Sequence, residues 1–394
     1  MTPSVDILNV YHFSVVQEGG VHTVIKNIIH YAKSKHIEYH ILYLNNTAVT
    51  ESVIPPEKIN HSFIRFSKHN NLYTTLMKIN SYITKKNAVL ACHDWTELAM
   101  VAHLGLSYPV VFFMHGDYDY YYNTAVKNNC IISVFVAPTA SIYNRLLTLL
   151  PNRKSDIIQA FYPVPAHQTV LNEHKKLTCA YYVSNLSDVN KNFKAIPIID
   201  KILVEQGVYV NWNIAGGGIK LSEFIESWES YDPSRIHFSG YLQQEELAQF
   251  IQSSSIFVLP SKVEGIPIAL VESMKSGLIP IVNEWNDSVL EYITSGENGF
   301  LIKGNNLNEF AEKIILLNND RNLIKSMSEK VKASSKEQNA IDLSISKIEN
   351  IFFSLSNLSL KRNKQKLYGS RLDHPLIPNV FTKIVRRYLS IATW

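Results

Sequence analysis

The sequence predicts an α/β protein made of two doubly wound parallel sheets, followed by a helical run and a basic tail. Three observations predict it. Short apolar runs alternate with longer amphipathic stretches, the pattern of strands buried on both faces and joined by crossover helices. The alternation stops at Tyr162-Pro163-Val164-Pro165, where two prolines interrupt both periods, and then restarts. The length, 394 residues, suits two or three domains.

In the first half, residues 5–13 read as a strand and 20–36 as a helix, with Val21, Val24, Ile25, Ile28 and Ile29 on one face. Strands follow at 39–44 and 61–66, a helix at 72–86, a strand at 88–93, a helix at 96–104, strands at 110–115 and 131–138, and a helix at 140–150. After the prolines, strands are predicted at 177–186, 208–215, 235–241, 256–260, 279–283 and 299–302. Helices fall at 192–207, 245–255 and 267–277, and then from 307 to about 358. The resulting domains are 1–163, 164–340, and a region 341–394 of helices and basic tail, for which a return to the first domain is one reading.

Composition removes several classes. Apolar residues make up 46% of the chain, enough for large cores. Cys92, Cys130 and Cys179 are odd in number and widely spaced, which is neither a disulfide framework nor a zinc motif. The first residues show no basic leader or apolar signal core. The longest apolar stretch, 98–114, is broken by His103, Gly105, Ser107 and Pro109 and reads as helix, turn and strand. A cytoplasmic body is the expectation. The formal charge of +4 divides unevenly. Residues 361–394 hold eight basic residues and one acid, for +7; the other 360 residues hold 30 basic and 33 acidic, for −3. That asymmetry argues against a nucleic-acid-coating protein.

In open parallel sheets, ligands bind beyond the carboxyl ends of strands, so the loops after strands hold the candidate chemistry. Gln17-Glu18-Gly19-Gly20-Val21-His22 lies between the first strand and first helix, and Ala215-Gly216-Gly217-Gly218 follows a strand. Each reads either as a tight turn or as a place where backbone N–H groups approach an anion. The most informative stretch is Leu259-Pro260-Ser261-Lys262-Val263-Glu264-Gly265-Ile266-Pro267, continuing to Glu272 and Gly277. It places Glu264 at the end of a buried strand and Glu272 in the helix behind. Two such carboxylates suit two hydroxylated parts of one ligand, or are simply a surface glutamate and a helix glutamate.

This stretch resembles the retaining glycosyltransferases of family 4, which have the GT-B fold and carry two glutamates separated by seven residues. Glu264 and Glu272 match that spacing. Phe257-Val258-Leu259-Pro260-Ser261 before them, and Gly277-Leu278-Ile279-Pro280-Ile281-Val282 and Asn298-Gly299-Phe300-Leu301-Ile302 after, match as well. Ile214-Ala215-Gly216-Gly217-Gly218 and Phe238-Ser239-Gly240-Tyr241 also look like the family. The resemblance is specific over 177–320 and looser over 1–160. It implies two Rossmann-like domains facing a cleft, the first for the acceptor and the second for a nucleotide-sugar donor. Glu264 would bind donor sugar hydroxyls, Glu272 the ribose, and Lys191 the diphosphate. Gly19, Gly20, Asn185, Gly216, Gly217, Ile266 and Pro267 would complete the donor site.

One departure stands out. The family commonly has Gly-Arg-Leu where this chain reads Ser184-Asn185-Leu186, so the second phosphate cation is missing. Lys262 is the nearest substitute in sequence.

The resemblance also implies a role for His115, after the strand at 110–115, near the donor hexose. Asp117-Tyr118-Asp119 spells the metal motif of another glycosyltransferase architecture, but no metal is expected to be required here. Asp117, Tyr118 and the following tyrosines read either as an acceptor wall or as a tyrosine-rich helix start. His93 and Asp94 read either as acceptor contacts or, for Asp94, as a helix cap. The implied activity is transfer of a hexose, most simply from a UDP-sugar, with retention, to a glycan or lipid-linked acceptor in cell-surface polysaccharide or lipopolysaccharide synthesis. The missing arginine leaves open a catalytically impaired homologue that binds glycans. The tail has three readings: solvation, packing on the first domain, or contact with an anionic membrane.

Overall fold

The computed structural model describes residues 6–384, except 16–18, 46–58, 68, 168–176, 187–188, 219, 229–231, 266, 339–340, 363, 365–375, 379 and 382–383. The chain forms two compact units, Met1–Ala160 with Asp342–Trp394, and Phe161–Ile341.

The first unit contains β1 (Leu8–Val15), α1 (Gly20–His30), β2 (Ile37–Asn45), β3 (Asn60–Arg65), α2 (Leu72–Asn80), β4 (Ala88–Cys92), α3 (Trp95–Leu104), β5 (Val110–Phe113), α4 (Asp119–Lys127), β6 (Val134–Ala137), α5 (Ala140–Leu149) and β7 (Ile157–Gln159). Its seven strands are all parallel, in the order β3-β2-β1-β4-β5-β6-β7. Every residue of β4, β5 and β6 is buried, and only Val15 of β1 is exposed. That continuous burial is what helices on both faces of a parallel sheet produce. The direction of winding reverses between β1 and β4, which makes their carboxyl ends the switch point.

The second unit contains β8 (Thr178–Asn185), α6 (Ala195–Glu205), β9 (Asn211–Gly217), α7 (Leu221–Glu226), β10 (Ile236–Phe238), α8 (Gln244–Gln252), β11 (Ile256–Leu259), α9 (Ile268–Lys275), β12 (Ile279–Asn283), β13 (Phe300–Ile302), α10 (Leu307–Asn319) and α11 (Arg321–Gln338). Its six parallel strands run β10-β9-β8-β11-β12-β13, with the reversal between β8 and β11. A buried polar cluster ties α6 to the sheet: Asp200 accepts from Trp212 Nε1 at 2.8 Å and from both Arg235 Nη atoms at 2.6 and 2.7 Å. Such a buried carboxylate is tolerated because each oxygen is satisfied.

The last helix, α12 (Ile341–Ser354), packs on the first unit. Glu349 Oε1 accepts from the backbone N–H groups of Lys33 and Ser34, both at 2.9 Å, and the Phe352 ring lies 6.1 to 6.3 Å from His12, Tyr39 and Phe113. Beyond it, Leu360 N donates to Ser107 O at 3.0 Å. Arg362 donates to the carbonyls of Leu106, Tyr108 and Ile131 at 2.9, 2.6 and 2.7 Å. Pro378 forms an antiparallel bridge with Asn71. Lys361, Arg362 and Lys364 are thus the described cations of the tail before residue 365; Lys366, Arg371, Lys383, Arg386, Arg387 and Trp394 lie outside the described residues.

Some boundaries differ from the sequence reading. Helix α1 stops at His30, not residue 36, because Lys33 and Ser34 give their N–H groups to Glu349. Helix α2 ends at Asn80, not residue 86. The short elements β7 and α7 were not predicted: three and six residues carry too little periodicity. Among the described residues no helix is long and apolar enough to cross a membrane.

Candidate functional site

In the second unit, the candidate residues gather at the β8/β11 switch point. Lys191 ends a 3-10 turn, Val189–Lys191, that follows β8. Its carbonyl accepts from Tyr181 OH at 3.3 Å, and the neighbouring Asn190 carbonyl accepts from Lys262 N at 2.8 Å. Glu264 sits in the loop after β11. Lys191 Nζ donates to both Glu264 carboxylate oxygens at 2.8 Å. The side chains are 21% and 7% exposed, respectively, so water screens the pair only partly.

An asparagine network braces these loops. Asn192, at φ 49°, donates to Pro260 O at 3.1 Å and to Asn305 Oδ1 at 3.3 Å. Asn283 donates to Ser261 O at 3.1 Å and accepts from Asn305 N at 3.0 Å. The left-handed conformation of Asn192 is one that asparagine tolerates better than most residues.

Glu272 projects from α9 and is buried. Its Oε1 lies 3.2 Å from His167 Nε2, and His167 N donates to Ser276 Oγ at 3.0 Å. Tyr182 OH donates to Ala269 O at 2.8 Å, and Lys275 Nζ to Val164 O at 2.6 Å. Burial pulls the Lys275 pKa down to about 8, opposed by the nearby Glu272 carboxylate. Pro267 is the N-cap of α9. Ile266 lies outside the described residues; Asn185 ends β8, but its side chain is likewise not described.

The glycine turn after β9 has a steric reason. Gly216 sits at φ +149°, and a Cβ there would lie 2.4 Å from Val183 O. Gly217 is paired with Asn185, and its carbonyl accepts from Leu186 N at 2.8 Å.

In the first unit, three neighbouring central strands bring three histidines together. His12 lies in β1, His93 follows β4 and His115 follows β5. His12 Nδ1 is 3.0 Å from His93 Nε2, and His93 Nδ1 is 2.8 Å from His115 Nε2. His12 and His93 are buried and His115 is half-buried. Desolvation pushes His12 and His115 down to about 3 and His93 well below its ordinary value, with the neighbouring histidines adding to the effect on His12 and His93. All three imidazoles are therefore neutral at pH 7.

Nearby, Asp94 is the N-cap of α3, in a capping box with Glu97, and its carboxylate also accepts from Tyr120 OH. Asp117 accepts from Tyr122 OH at 2.5 Å and Ser141 Oγ at 2.7 Å. Asp119 pairs with Arg145 at 2.6 Å. Tyr118 is the exposed N-cap of α4. Gly19 is the extended N-cap of α1, with no side-chain cap, and Gly20 begins the helix. Behind them, Ser14 Oγ lies 3.3 Å from His22 Nδ1. Among the described residues, no three His, Cys, Asp or Glu side chains form a metal-binding group.

Sequence reasoning did not single out His12, His167 or the trio Asn192, Asn283 and Asn305. His12 left one signal: an imidazole in a buried strand whose other polar residues are Asn9, Tyr11 and Ser14.

Residues 165–334 match the family model of the Glycosyl transferases group 1. That match takes in Lys191, Glu264 and Glu272. The chain is 34% identical over 132 residues to an uncharacterized glycosyltransferase of Haemophilus influenzae, covering 33% of this chain and 37% of that one. It is 26% identical over 126 residues to an Escherichia coli UDP-Gal:alpha-D-GlcNAc-diphosphoundecaprenol alpha-1,3-galactosyltransferase, covering 32% and 31%. The matched stretch thus spans about a third of each of these relatives. Among solved structures, Anabaena HepE in complex with UDP and glucose superposes with a TM-score of 0.69 at 12% identity, over 88% of this chain and all of that one. At that identity the likeness shows the fold, which is that of the GT-B glycosyltransferases with two Rossmann-like units.

Proposed function

We propose that the protein is a retaining glycosyltransferase that moves a hexose from a nucleotide-sugar, a UDP-sugar in the simplest case, to a glycan or lipid-linked acceptor. The observation that carries this reading is the Lys191–Glu264 pair at the β8/β11 switch point, within the stretch that matches the group 1 family. The Escherichia coli relative, named for UDP-Gal and diphosphoundecaprenol chemistry, supports the substrate classes.

The pair suggests how donor binding works. An arriving diphosphate competes for Lys191, and the ammonium shifts from carboxylate to phosphate. The freed Glu264 oxygens then accept hydrogen bonds from sugar hydroxyls. Glu272 takes the ribose hydroxyls, with Gly216, Gly217, Asn185, Ile266 and Pro267 lining the nucleotide's path and Gly19 and Gly20 leaving backbone N–H groups for phosphate. In the transfer, the bond from the anomeric carbon to the diphosphate oxygen breaks and the bond to the acceptor oxygen forms on the same face. The acceptor proton passes to the departing diphosphate. Positioning and stabilisation of the leaving charge supply the rate, and Lys191 is assigned that charge. His115 gives a neutral imidazole to sugar recognition. His93, Asp94, Asp117 and Tyr118 serve the acceptor.

We place the work at the cytoplasmic face of a membrane, in synthesis of a surface polysaccharide or lipopolysaccharide. Support comes from the +7 tail and from Leu376, Phe381 and Ile384, which are 64%, 59% and 47% exposed. A second reading, a glycan-binding homologue without turnover, is favoured by Asn185 standing where a phosphate-binding arginine is common.

A thermal-shift series with UDP, GDP, ADP and their sugars tests the proposal. A ligand at a hundred times its Kd adds about 2.7 kcal/mol to stability, so UDP should raise the Tm by several degrees. No shift with any nucleotide would refute the donor site. Binding without turnover of any donor would favour the second reading.

A further inference from the structure

Glu272, the carboxylate assigned to the ribose, has one oxygen already held. Its Oε1 lies 3.2 Å from His167 Nε2, and both side chains are 9% exposed. A carboxylate has no hydrogen to give, so the imidazole donates from Nε2. A carboxylate this far from water needs such a partner.

Backbone contacts bring the ring there. Glu272 and Lys275 are one turn apart on α9, and Ser276 caps the helix on the same face. Lys275 Nζ donates to Val164 O at 2.6 Å. Ser276 Oγ accepts from His167 N at 3.0 Å while donating to Glu272 O at 2.8 Å. Segment 164–167 is thus fastened along that face at both ends. Pro165, between the two fastenings, locks its own φ and steers Val164 away from helix.

Holding one oxygen matters for a ligand. A free glutamate side chain must be ordered when it binds, and that ordering costs affinity. A carboxylate anchored by His167 has lost this freedom before the ligand arrives. It offers about four acceptor sites, so the one taken by His167 leaves room for two hydroxyls.

We infer that His167 is a positioning residue: by holding Oε1 it presets the Glu272 carboxylate for the two ribose hydroxyls, and so sets a preference for a ribonucleotide over one that lacks them. The inference rests on the proposed donor site, with Glu272 as its ribose contact.

Calorimetric titration of the full chain with UDP, GDP and ADP, and with their 2′,3′-dideoxy analogues, tests it. The wild type should bind one ribonucleotide about tenfold or more tighter than its dideoxy analogue, the scale of hydrogen bonds to a charged group. His167→Phe keeps the bulk of the ring and removes the N–H. It should weaken the ribonucleotide about fivefold or more and leave the dideoxy analogue within about twofold, because only the hydroxyl contact is lost. His167→Gln carries an amide N–H of similar reach and should restore most of the preference. An equal loss for both ligands in His167→Phe would make the histidine a fold contact only and overturn the inference, as would an unchanged preference. If His167→Phe does not fold, His167→Asn makes the same comparison with His167→Gln: the shorter amide should lose the preference and the longer one keep it. A preference that survives in Glu272→Met would place the ribose contact elsewhere, so the inference would fall while the donor site stood. Binding of none of the three nucleotides by the wild type would remove the donor site and the inference with it.

Discussion

Lys191 Nζ lies 2.8 Å from both carboxylate oxygens of Glu264, so one ammonium closes a loop after β8 onto a loop after β11. The lysine is drawn from solvent only partly, and the glutamate almost completely. Removing the lysine leaves a buried carboxylate without its cation. Lys191→Ala should therefore destabilise the second unit by roughly 1–3 kcal/mol. The double variant Lys191→Ala/Glu264→Ala should cost less than the sum of the single changes, because it removes the orphaned charge. Urea denaturation of the four proteins in this cycle measures it.

Gly216 is a second point of sensitivity. Gly216→Ala puts a methyl group 2.4 Å from the Val183 carbonyl, at a φ of +149° that L-residues avoid. The expected cost is about 2–4 kcal/mol, seen as a lowered urea midpoint. Gly240→Ala is the control, because its added Cβ meets no atom within 4 Å, although its φ of +65° carries some strain. The Gly240 variant should lose less than half as much.

The buried histidines predict a direction for acid stability. His12, His22 and His115 are held down to about 3 by burial and His93 well below its ordinary value. Between about pH 6.5 and 3 the unfolded chain binds protons at these sites and the folded chain does not. Their contribution is fully present above pH 6.5 and is lost as pH falls toward 3. The slope approaches 1.4 kcal/mol per pH unit for each histidine. Glu97, raised by burial, acts in the opposite sense as a single group. Denaturation at pH 7.5, 6.5 and 5.5 should show stability falling with acid, and His22→Gln should flatten the curve.

How much of this was legible in sequence depends on the range of the interactions. The parallel, doubly wound fold was legible because each strand and helix carries its own periodicity. Lys191 and Glu264 could be named because each lies in a local string, but their ion pair depends on β8 and β11 becoming neighbours across a reversal of winding. The His12–His93–His115 chain was hidden for the same reason: its members are 81 and 22 positions apart in sequence. Arg362 was visible only as one charge among eight in the tail. Its three bonds to the carbonyls of Leu106, Tyr108 and Ile131 belong to tertiary packing.

That packing separates two roles within the tail. Arg362→Ala should destabilise the first unit by about 2–4 kcal/mol, since three carbonyls lose a charged donor. A truncation that retains Arg362 and removes residues 365–394 should leave the Tm within a few degrees. It should also release the protein from vesicles of phosphatidylserine and phosphatidylcholine, at about 1 kcal/mol per lost cation. Undiminished sedimentation of the truncated chain with such vesicles would rule out the tail as the membrane contact.

The proposed hold of Lys191 and Glu264 on a nucleotide-sugar donor is tested by nucleotide release from a panel of UDP-, GDP- and ADP-sugars by the wild type, Lys191→Ala and Glu264→Ala. The wild type should release nucleotide from one donor class, and each variant should lose about 100-fold or more, the scale of removing one group that stabilises charge in a transition state. Full activity in both variants would contradict it.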